Sequence, residues 1–203
     1  MVNPYNITNF NRSNAELEEF LLFCIVVAGK TAYIQAQKLD EFLTSVNSRL
    51  MMPEHINPFQ TIKSADQHGI LMEEIQKAKL GQYKKIFNAF KYLIENKMDL
   101  KKSMPSQLEQ IPGVGMKTSR FFLLHSNEEL GQMMCILDTH ILKFIRANID
   151  DRAPKSTPMN PKTYFYWENL FLNYCQKNNI NDIAKFDLEI WKNYATKNKE
   201  VSE

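Results

Sequence analysis

The segment Leu108–His140, LEQIPGVGMKTSRFFLLHSNEELGQMMCILDTH, decides how this chain folds. Its portion Ile111–Gly115 reads IPGVG, so two glycines flank an apolar residue between two short helical patterns. This arrangement predicts a helix-hairpin-helix whose second helix runs from Met116 to about Leu124, with Val114 pointing inward. Free backbone N–H groups and the helix dipole at the start of that helix suit a phosphate oxygen. Such a contact positions nucleic acid without reading its sequence. A plain tight turn is the alternative interpretation of the glycines.

Lys117 lies in the first turn of the predicted second helix, two residues past Gly115. A cation is unfavourable there, because helix N-termini prefer anions. That position, combined with partial burial, is expected to lower the pKa of the lysine. A neutral amine can attack the sugar C1′ of a nucleotide and form a Schiff base. A lysine that faces solvent or contacts phosphate is the alternative.

Asp138 follows the apolar pair Ile136-Leu137 and precedes a helical pattern that runs from Thr139 to Asn148. An aspartate in this position is typically the N-cap of the helix. A carboxylate can also stabilise an oxocarbenium-like sugar cation or activate a nucleophile, as in glycoside cleavage. The two roles are compatible, because one carboxylate oxygen can cap the helix while the other faces a substrate.

The pattern Ile-Pro-Gly-Val-Gly-x-Lys-Thr, followed about twenty residues later by Leu-Asp-Thr-His, resembles the helix-hairpin-helix DNA glycosylases of the endonuclease III superfamily. The resemblance implies an all-α fold of two helical lobes with a DNA-binding cleft between them. It also implies that Lys117 is the Schiff-base nucleophile of a bifunctional glycosylase and AP lyase, and that Asp138 is the catalytic aspartate. The substrate would be double-stranded DNA with a damaged or modified base, flipped out of the duplex before excision.

Two further segments resemble parts of that family which approach DNA. Residues Cys24–Lys38 resemble the helix-turn-helix at the cleft entrance, where many members carry a glutamine that fills the space left by the flipped base. Lys30 takes that position here, although an ordinary lysine at a helix start explains it equally well. Residues Leu80–Lys85 resemble a loop and helix start that approach the DNA backbone. The residues predicted to contact DNA are Ile111, Gly113, Val114, Gly115, Thr118, Lys30, Gln82, Tyr83 and Lys84.

The cysteines separate this chain from endonuclease III itself, which carries four cysteines for an iron-sulfur cluster near its C-terminus. Only Cys175 lies in that region here, and Cys24 and Cys135 are far away in apolar surroundings. We therefore expect buried, reduced thiols in a cytoplasmic, nucleoid-associated or nuclear protein, with no metal and no cofactor. Specificity for oxidised pyrimidines cannot be carried over. The sequence leaves three candidates for the recognised base: an oxidised purine, an oxidised pyrimidine or a modified base of foreign DNA.

The composition agrees with a globular, helical protein. Hydrophobic residues make up 44% and charged residues 24%, and six glycines in 203 residues are few. Helix-favouring residues dominate, which predicts an all-α fold of about ten helices. Capping-box spacing in Ser13–Glu16 and in Ser106–Glu109 predicts two helix starts. The predicted lobes are residues 23–137, with the hairpin at about 106–124, and residues 1–22 together with 138–203.

Charge and hydropathy exclude few functions. The net charge of +2 neither requires nor excludes nucleic acid, because a DNA-binding face needs only a local excess of lysine and arginine. The longest apolar run, Phe20–Gly29, is too short to span a bilayer, and the polar N-terminal stretch is no signal peptide. We expect no membrane association. We also expect a monomer, since one protein that clasps one lesion needs no symmetry.

Three functions from different classes remain open. The leading hypothesis is an enzyme that excises a base through Lys117 and Asp138. The second is a phage-type enzyme on the same scaffold, which modifies a pyrophosphorylated hydroxymethyluracil in DNA without losing the base. The third is a helix-hairpin-helix module that binds DNA without catalysis, because such hairpins occur in many proteins that merely hold DNA.

Overall fold

The computed structural model describes residues 1–53 and 56–200. Every helix or strand assigned in this part of the chain is an α-helix, which confirms the predicted all-α fold. The helices are α1 (Asn14–Val27), α2 (Ala32–Arg49), α3 (Pro58–Gln67), α4 (Leu71–Lys77), α5 (Tyr83–Glu95), α6 (Pro105–Leu108), α7 (Met116–Leu124), α8 (Glu128–Gly131), α9 (Thr139–Asn148), α10 (Pro161–Lys177) and α11 (Ile183–Glu200).

By its internal contacts the chain divides into two compact units, Met1–Phe122 and Leu123–Glu203. The division therefore falls inside α7. The lobes predicted from the sequence are 23–137 and 1–22 with 138–203, and these bounds stay a prediction. The helix-hairpin-helix and the segment of Asp138 belong to different units, and each is described by itself below.

The first unit is built around α1, which packs against α2, α3 and α5. All seven side chains of the run Phe20–Val26 are buried, so this part of the helix is apolar on every side, as expected of a segment at the centre of a core. The predicted capping box at its start is confirmed. Ser13 Oγ accepts the Glu16 N–H at 3.3 Å, and the Ser13 N–H donates to Glu16 Oε2 at 2.7 Å.

The second unit holds α8 to α11, with a cluster of aromatic rings at its centre. Phe144 of α9 lies edge-on to Phe171 of α10 and to Phe186 of α11, with ring centroids 6.1 and 5.4 Å apart. Phe171 and Phe186 stack on each other at 5.9 Å. Each aromatic pair adds about 0.5–1.5 kcal/mol to what burial of its area contributes. The cluster thus packs α9, α10 and α11 against one another, and Asp138 lies at the start of α9.

The second predicted capping box, Ser106–Glu109, is wrong. Helix α6 begins two residues earlier, at Pro105, and its N-cap is Met104, whose N–H donates to Gln107 Oε1 at 2.9 Å. Proline is favoured at a first helical position, because its missing N–H would have no helical partner there. Glu109 follows the end of this helix and makes tertiary hydrogen bonds instead, as described below.

The three cysteines are free and buried, as predicted. Burial raises the pKa of the Cys24 thiol well above its usual range and raises the pKa of Cys175 to about 12. These thiols are therefore protonated at neutral pH and act as small apolar side chains.

No helix among the described residues is both long and apolar enough to cross a membrane.

The cap of α1 gives a test of the fold. Replacing Ser13 by alanine removes the oxygen that accepts the Glu16 N–H. We expect the free energy of unfolding, measured by urea denaturation, to fall by about 1 kcal/mol. Ser48→Ala, at an exposed serine near the end of α2, is the control, with an expected change within about 0.5 kcal/mol. Equal effects of the two substitutions would contradict the capping role.

Candidate DNA-binding and catalytic site

The hairpin between α6 and α7 has the geometry expected from its sequence. Ile111 and Val114 are both buried, and the Val114 N–H donates to the Ile111 carbonyl at 2.9 Å. The inward direction predicted for Val114 is thus confirmed. The carbonyl of Gly115 accepts the N–H groups of Thr118 and Ser119 at 2.9 and 3.0 Å, so Gly115 is the N-cap of α7. A glycine N-cap brings no side chain to the first N–H groups of its helix, so among the described residues these groups are open to an outside acceptor.

Gly113 is the residue at which the turn requires a glycine. Its φ is +82°, in the left-handed region that other residues avoid. A Cβ built at this position would lie 2.2 Å from Cε and 2.6 Å from Cγ of Lys85. The stem of Lys85, in the first turn of α5, therefore packs directly on the hairpin backbone. This contact brings the start of α5 beside the turn that leads into α7.

Glu109 fastens the hairpin, a role that the sequence analysis missed. Its Oε1 accepts hydrogen bonds from Ser119 Oγ at 2.7 Å and from Arg120 Nη1 at 2.9 Å. Ser119 and Arg120 lie on α7 and are 0% and 4% exposed, so their polar groups need partners inside the protein. The signal in the sequence was an arginine within an apolar helix, since a buried guanidinium requires an anion nearby.

Lys117 lies in the first turn of α7 and is exposed, so the partial burial expected of it is wrong. The buried face of α7 is carried by Ser119, Phe122 and Leu123. Two residues of helix rotate a side chain by about 200°, which turns Lys117 to the face opposite Ser119. Thr118 next to it is half-buried. The ammonium group of Lys117 thus reaches solvent beside the open N–H groups of the same helix start.

In the part of the chain that the structure describes, the start of α5, like the start of α7, has no side chain that caps its first N–H groups. Its N-cap is Gln82, which has a φ of +44° and makes no hydrogen bond from its side chain to the helix. Gln82, Tyr83 and Lys84 are all exposed. A helix start without a side-chain cap presents N–H groups and the positive end of the dipole to an anion. Two such helix starts are therefore neighbours in this unit, joined by the contact between Lys85 and Gly113.

Lys30 is held inside the first unit by two carbonyl oxygens. Its Nζ donates to Val26 O at 3.1 Å and to Leu80 O at 2.6 Å. Burial lowers the pKa of Lys30, and the positive charges of Lys38 and Lys85 lower it further. Lys30 thus joins the end of α1 to the turn before α5. Its predicted contact with DNA stays a prediction.

Asp138, in the second unit, is the N-cap of α9, as predicted. Its Oδ1 accepts the N–H groups of His140 and Ile141 at 2.8 and 2.9 Å. Among the described residues nothing donates a hydrogen bond to its other oxygen, Oδ2. One oxygen therefore caps the helix, and the second keeps its lone pairs for another partner.

His140 adds a second available group close to Asp138. Its Nδ1 is buried and has no hydrogen-bond partner in the described part of the chain. Its ring lies edge-on to Trp191 of α11, with ring centroids 6.4 Å apart, and Trp191 is 41% exposed. Buried polar atoms without partners are few in folded proteins, and Nδ1 of His140 is therefore open to an added hydrogen-bond partner such as water.

Together these features define an all-α protein with a helix-hairpin-helix, a lysine at the start of its second helix and an aspartate cap, which is the class of the helix-hairpin-helix DNA glycosylases. A family model described as Ogg-HhH, 8-oxoguanine DNA glycosylase, matches residues 1–180. The chain belongs to this family, and it is a DNA glycosylase of the helix-hairpin-helix type that acts on DNA. A search of curated proteins and a search of solved structures find no match to it.

The fastening of the hairpin by Glu109 can be tested directly. Glu109→Ala leaves Ser119 and the buried guanidinium of Arg120 without this carboxylate. We expect the free energy of unfolding to fall by about 2 kcal/mol, and affinity for a DNA duplex to fall because the turn loses its fixed shape. Glu41→Ala, at an exposed glutamate of α2, removes the same atoms and is the matched control. If both variants are equally stable and bind DNA equally well, Glu109 does not fasten the hairpin.

Proposed function

We propose that this protein is a bifunctional 8-oxoguanine DNA glycosylase and AP lyase, in which Lys117 is the nucleophile and Asp138 the catalytic aspartate. The observation that carries the proposal is the presence of two residues in a chain of this family. Lys117 is exposed at an open helix start, and Asp138 caps a helix with only one of its two carboxylate oxygens. It acts as a monomer on double-stranded DNA that contains the oxidised base, in the nucleoid or the nucleus.

DNA binding is supported by the two neighbouring helix starts of the first unit. The backbone N–H groups after Gly115 and after Gln82 bind phosphate oxygens of the backbone, and Lys84 adds a positive charge beside them. Ile111 and Val114 take part through the turn that they hold in place, because their side chains are buried. These contacts hold the duplex without reading its sequence, and the oxidised base is recognised after it is flipped out.

In the chemical step the ammonium group of Lys117 gives up a proton to solvent, and its Nζ attacks C1′ of the flipped nucleotide. The bond from Nζ to C1′ forms as the bond from C1′ to N9 of the base breaks, and the base leaves with the electron pair and takes up a proton. The free oxygen of Asp138 stabilises the positive charge that develops on the sugar. The sugar ring then opens to a Schiff base on Lys117. Loss of a proton from C2′ expels the 3′ phosphate and nicks the strand.

Borohydride trapping tests the role of Lys117. The protein is incubated with sodium borohydride and duplexes that carry 8-oxoguanine, an oxidised pyrimidine or an abasic site. We expect a covalent adduct on the 8-oxoguanine and abasic duplexes, and its loss in Lys117→Ala. Lys162→Ala is the matched control, because Lys162 is also the exposed second residue of its helix, α10. The absence of an adduct on every duplex would overturn the lyase role and leave a monofunctional glycosylase led by Asp138.

The role of Asp138 can be separated from its cap. Asparagine caps a helix about as well as aspartate, so Asp138→Asn should change the free energy of unfolding by less than about 0.5 kcal/mol. It removes the negative charge, and we expect the single-turnover rate of 8-oxoguanine excision to fall by about 10²-fold. Cleavage at a pre-formed abasic site should fall far less, because no base remains to be expelled. An unchanged excision rate would show that Asp138 is only a cap.

Base hypermodification and passive DNA binding are the alternatives to excision. The family match favours excision. Mass spectrometry distinguishes the three outcomes on one substrate: excision releases a free base, hypermodification alters a base that stays in the strand, and a binding module changes neither.

A further inference from the structure

The residues just before Asp138 form an irregular segment that is held by side chains. The Cys135 N–H donates to Glu168 Oε1 at 3.0 Å. The Tyr164 hydroxyl donates to the Cys135 carbonyl at 3.0 Å and accepts the Leu137 N–H at 3.2 Å. Thr157 Oγ1 donates to the Leu137 carbonyl at 2.7 Å. Three side chains therefore satisfy four backbone groups along three residues of chain.

Burial makes these hydrogen bonds important for the shape of the segment. Cys135, Leu137 and Tyr164 are at most 1% exposed, and Glu168 is 5% exposed. Buried backbone N–H and C=O groups need partners, and the described part of the chain has no strand that could supply them here. Tyr164 and Glu168 lie one turn apart on α10 and point to the same side. Together with Thr157 they supply the hydrogen bonds that a neighbouring strand would otherwise make to this backbone.

The last of these bonds bears directly on Asp138. The carbonyl of Leu137 and the N–H of Asp138 belong to one planar peptide group. Thr157 fixes that carbonyl, and the Asp138 N–H also donates to the Ile136 carbonyl at 2.6 Å. Asp138 is therefore held at two points. Hydrogen bonds fix the peptide group that precedes it, and the N–H groups at the start of α9 fix its carboxylate. Rotation of either would move Oδ2.

We propose that Tyr164, Thr157 and Glu168 are positioning residues for Asp138, which hold its free carboxylate oxygen at the sugar of the flipped nucleotide. This inference rests on the catalytic role proposed for Asp138. The three residues touch no substrate. Their contribution is to keep the backbone before Asp138 in one conformation while DNA binds and the base leaves, because a misplacement of about 1 Å at a reacting group can cost up to about 10²-fold in rate.

Tyr164→Phe is the first test, because it removes only the hydroxyl that makes two of the four bonds. We expect the single-turnover rate of 8-oxoguanine excision to fall about tenfold, with the Kd for the duplex unchanged within twofold. Tyr166→Phe, at a tyrosine of the same helix that is 52% exposed, should leave both quantities unchanged. Thr157→Val keeps the shape of its side chain and removes one bond, and it serves as the milder variant should Tyr164→Phe unfold.

A double-mutant cycle distinguishes positioning from general weakening of the fold. If Tyr164 acts through Asp138, then Tyr164→Phe should have no further effect on excision in a protein that already carries Asp138→Asn. Independent, multiplicative losses in the two backgrounds would overturn the proposal, because they would mean that the hydroxyl serves something other than the carboxylate.

Hydrogen exchange gives a readout that needs no enzymatic activity. The His140 and Ile141 amides donate to Asp138 Oδ1, so displacement of Asp138 should make them exchange faster, relative to amides in the middle of α10. If they stay protected in both Tyr164→Phe and Thr157→Val, the proposal is wrong. If they lose protection while Asp138→Asn leaves excision unchanged, the side-chain bonds do hold Asp138, and it is the proposed catalytic role of Asp138 that fails.

Discussion

The need to satisfy the N–H groups at the start of each helix governs both the fold and the site of this protein. A chain built from many short helices has many such starts, and each leaves N–H groups without a partner inside its own helix. Side chains meet this need at α1, α8, α9 and α10, where Ser13, Asn127, Asp138 and Asn160 accept the first N–H groups. At α7 the N-cap is a glycine, and at α5 the side chain of Gln82 makes no such bond. The starts of α5 and α7 therefore keep N–H groups that suit a DNA phosphate.

Asp138 caps a helix with one carboxylate oxygen and leaves the other oxygen available. One oxygen completes α9, and the other makes no hydrogen bond within the described residues. The fold therefore fixes the position of the carboxylate through the same interaction that stabilises the helix. A neutral capping residue at this position would preserve the start of α9 but would remove the negative charge. The segment before Asp138 is held in turn by hydrogen bonds from Tyr164, Thr157 and Glu168.

Local patterns in the sequence predicted most of the elements and few of the tertiary contacts. The bounds of α7, the capping box of Ser13 and the cap at Asp138 depend on residues within one turn, and all three are as predicted. The capping box expected at Ser106–Glu109 failed because Pro105 starts the helix earlier and because Arg120 takes Glu109 as its partner. The burial expected for Lys117 is wrong because α7 turns Ser119, Phe122 and Leu123 inward, which leaves Lys117 on the opposite face. Contacts such as that of Tyr164 with Cys135 span almost thirty positions and leave no periodic signal.

Lys30, which the sequence predicts to contact DNA, makes two hydrogen bonds within its own unit. Its Nζ is held by Val26 O and Leu80 O, which lie within the first unit. To enter the duplex it would have to release both carbonyls. One of them belongs to the turn before Gln82, which sets the open start of α5. Lys38 holds the same turn through Lys79 O at 3.0 Å. Lys30 therefore fixes the backbone of the turn before α5, and its charge lies close enough to those of Lys38 and Lys85 to interact with them.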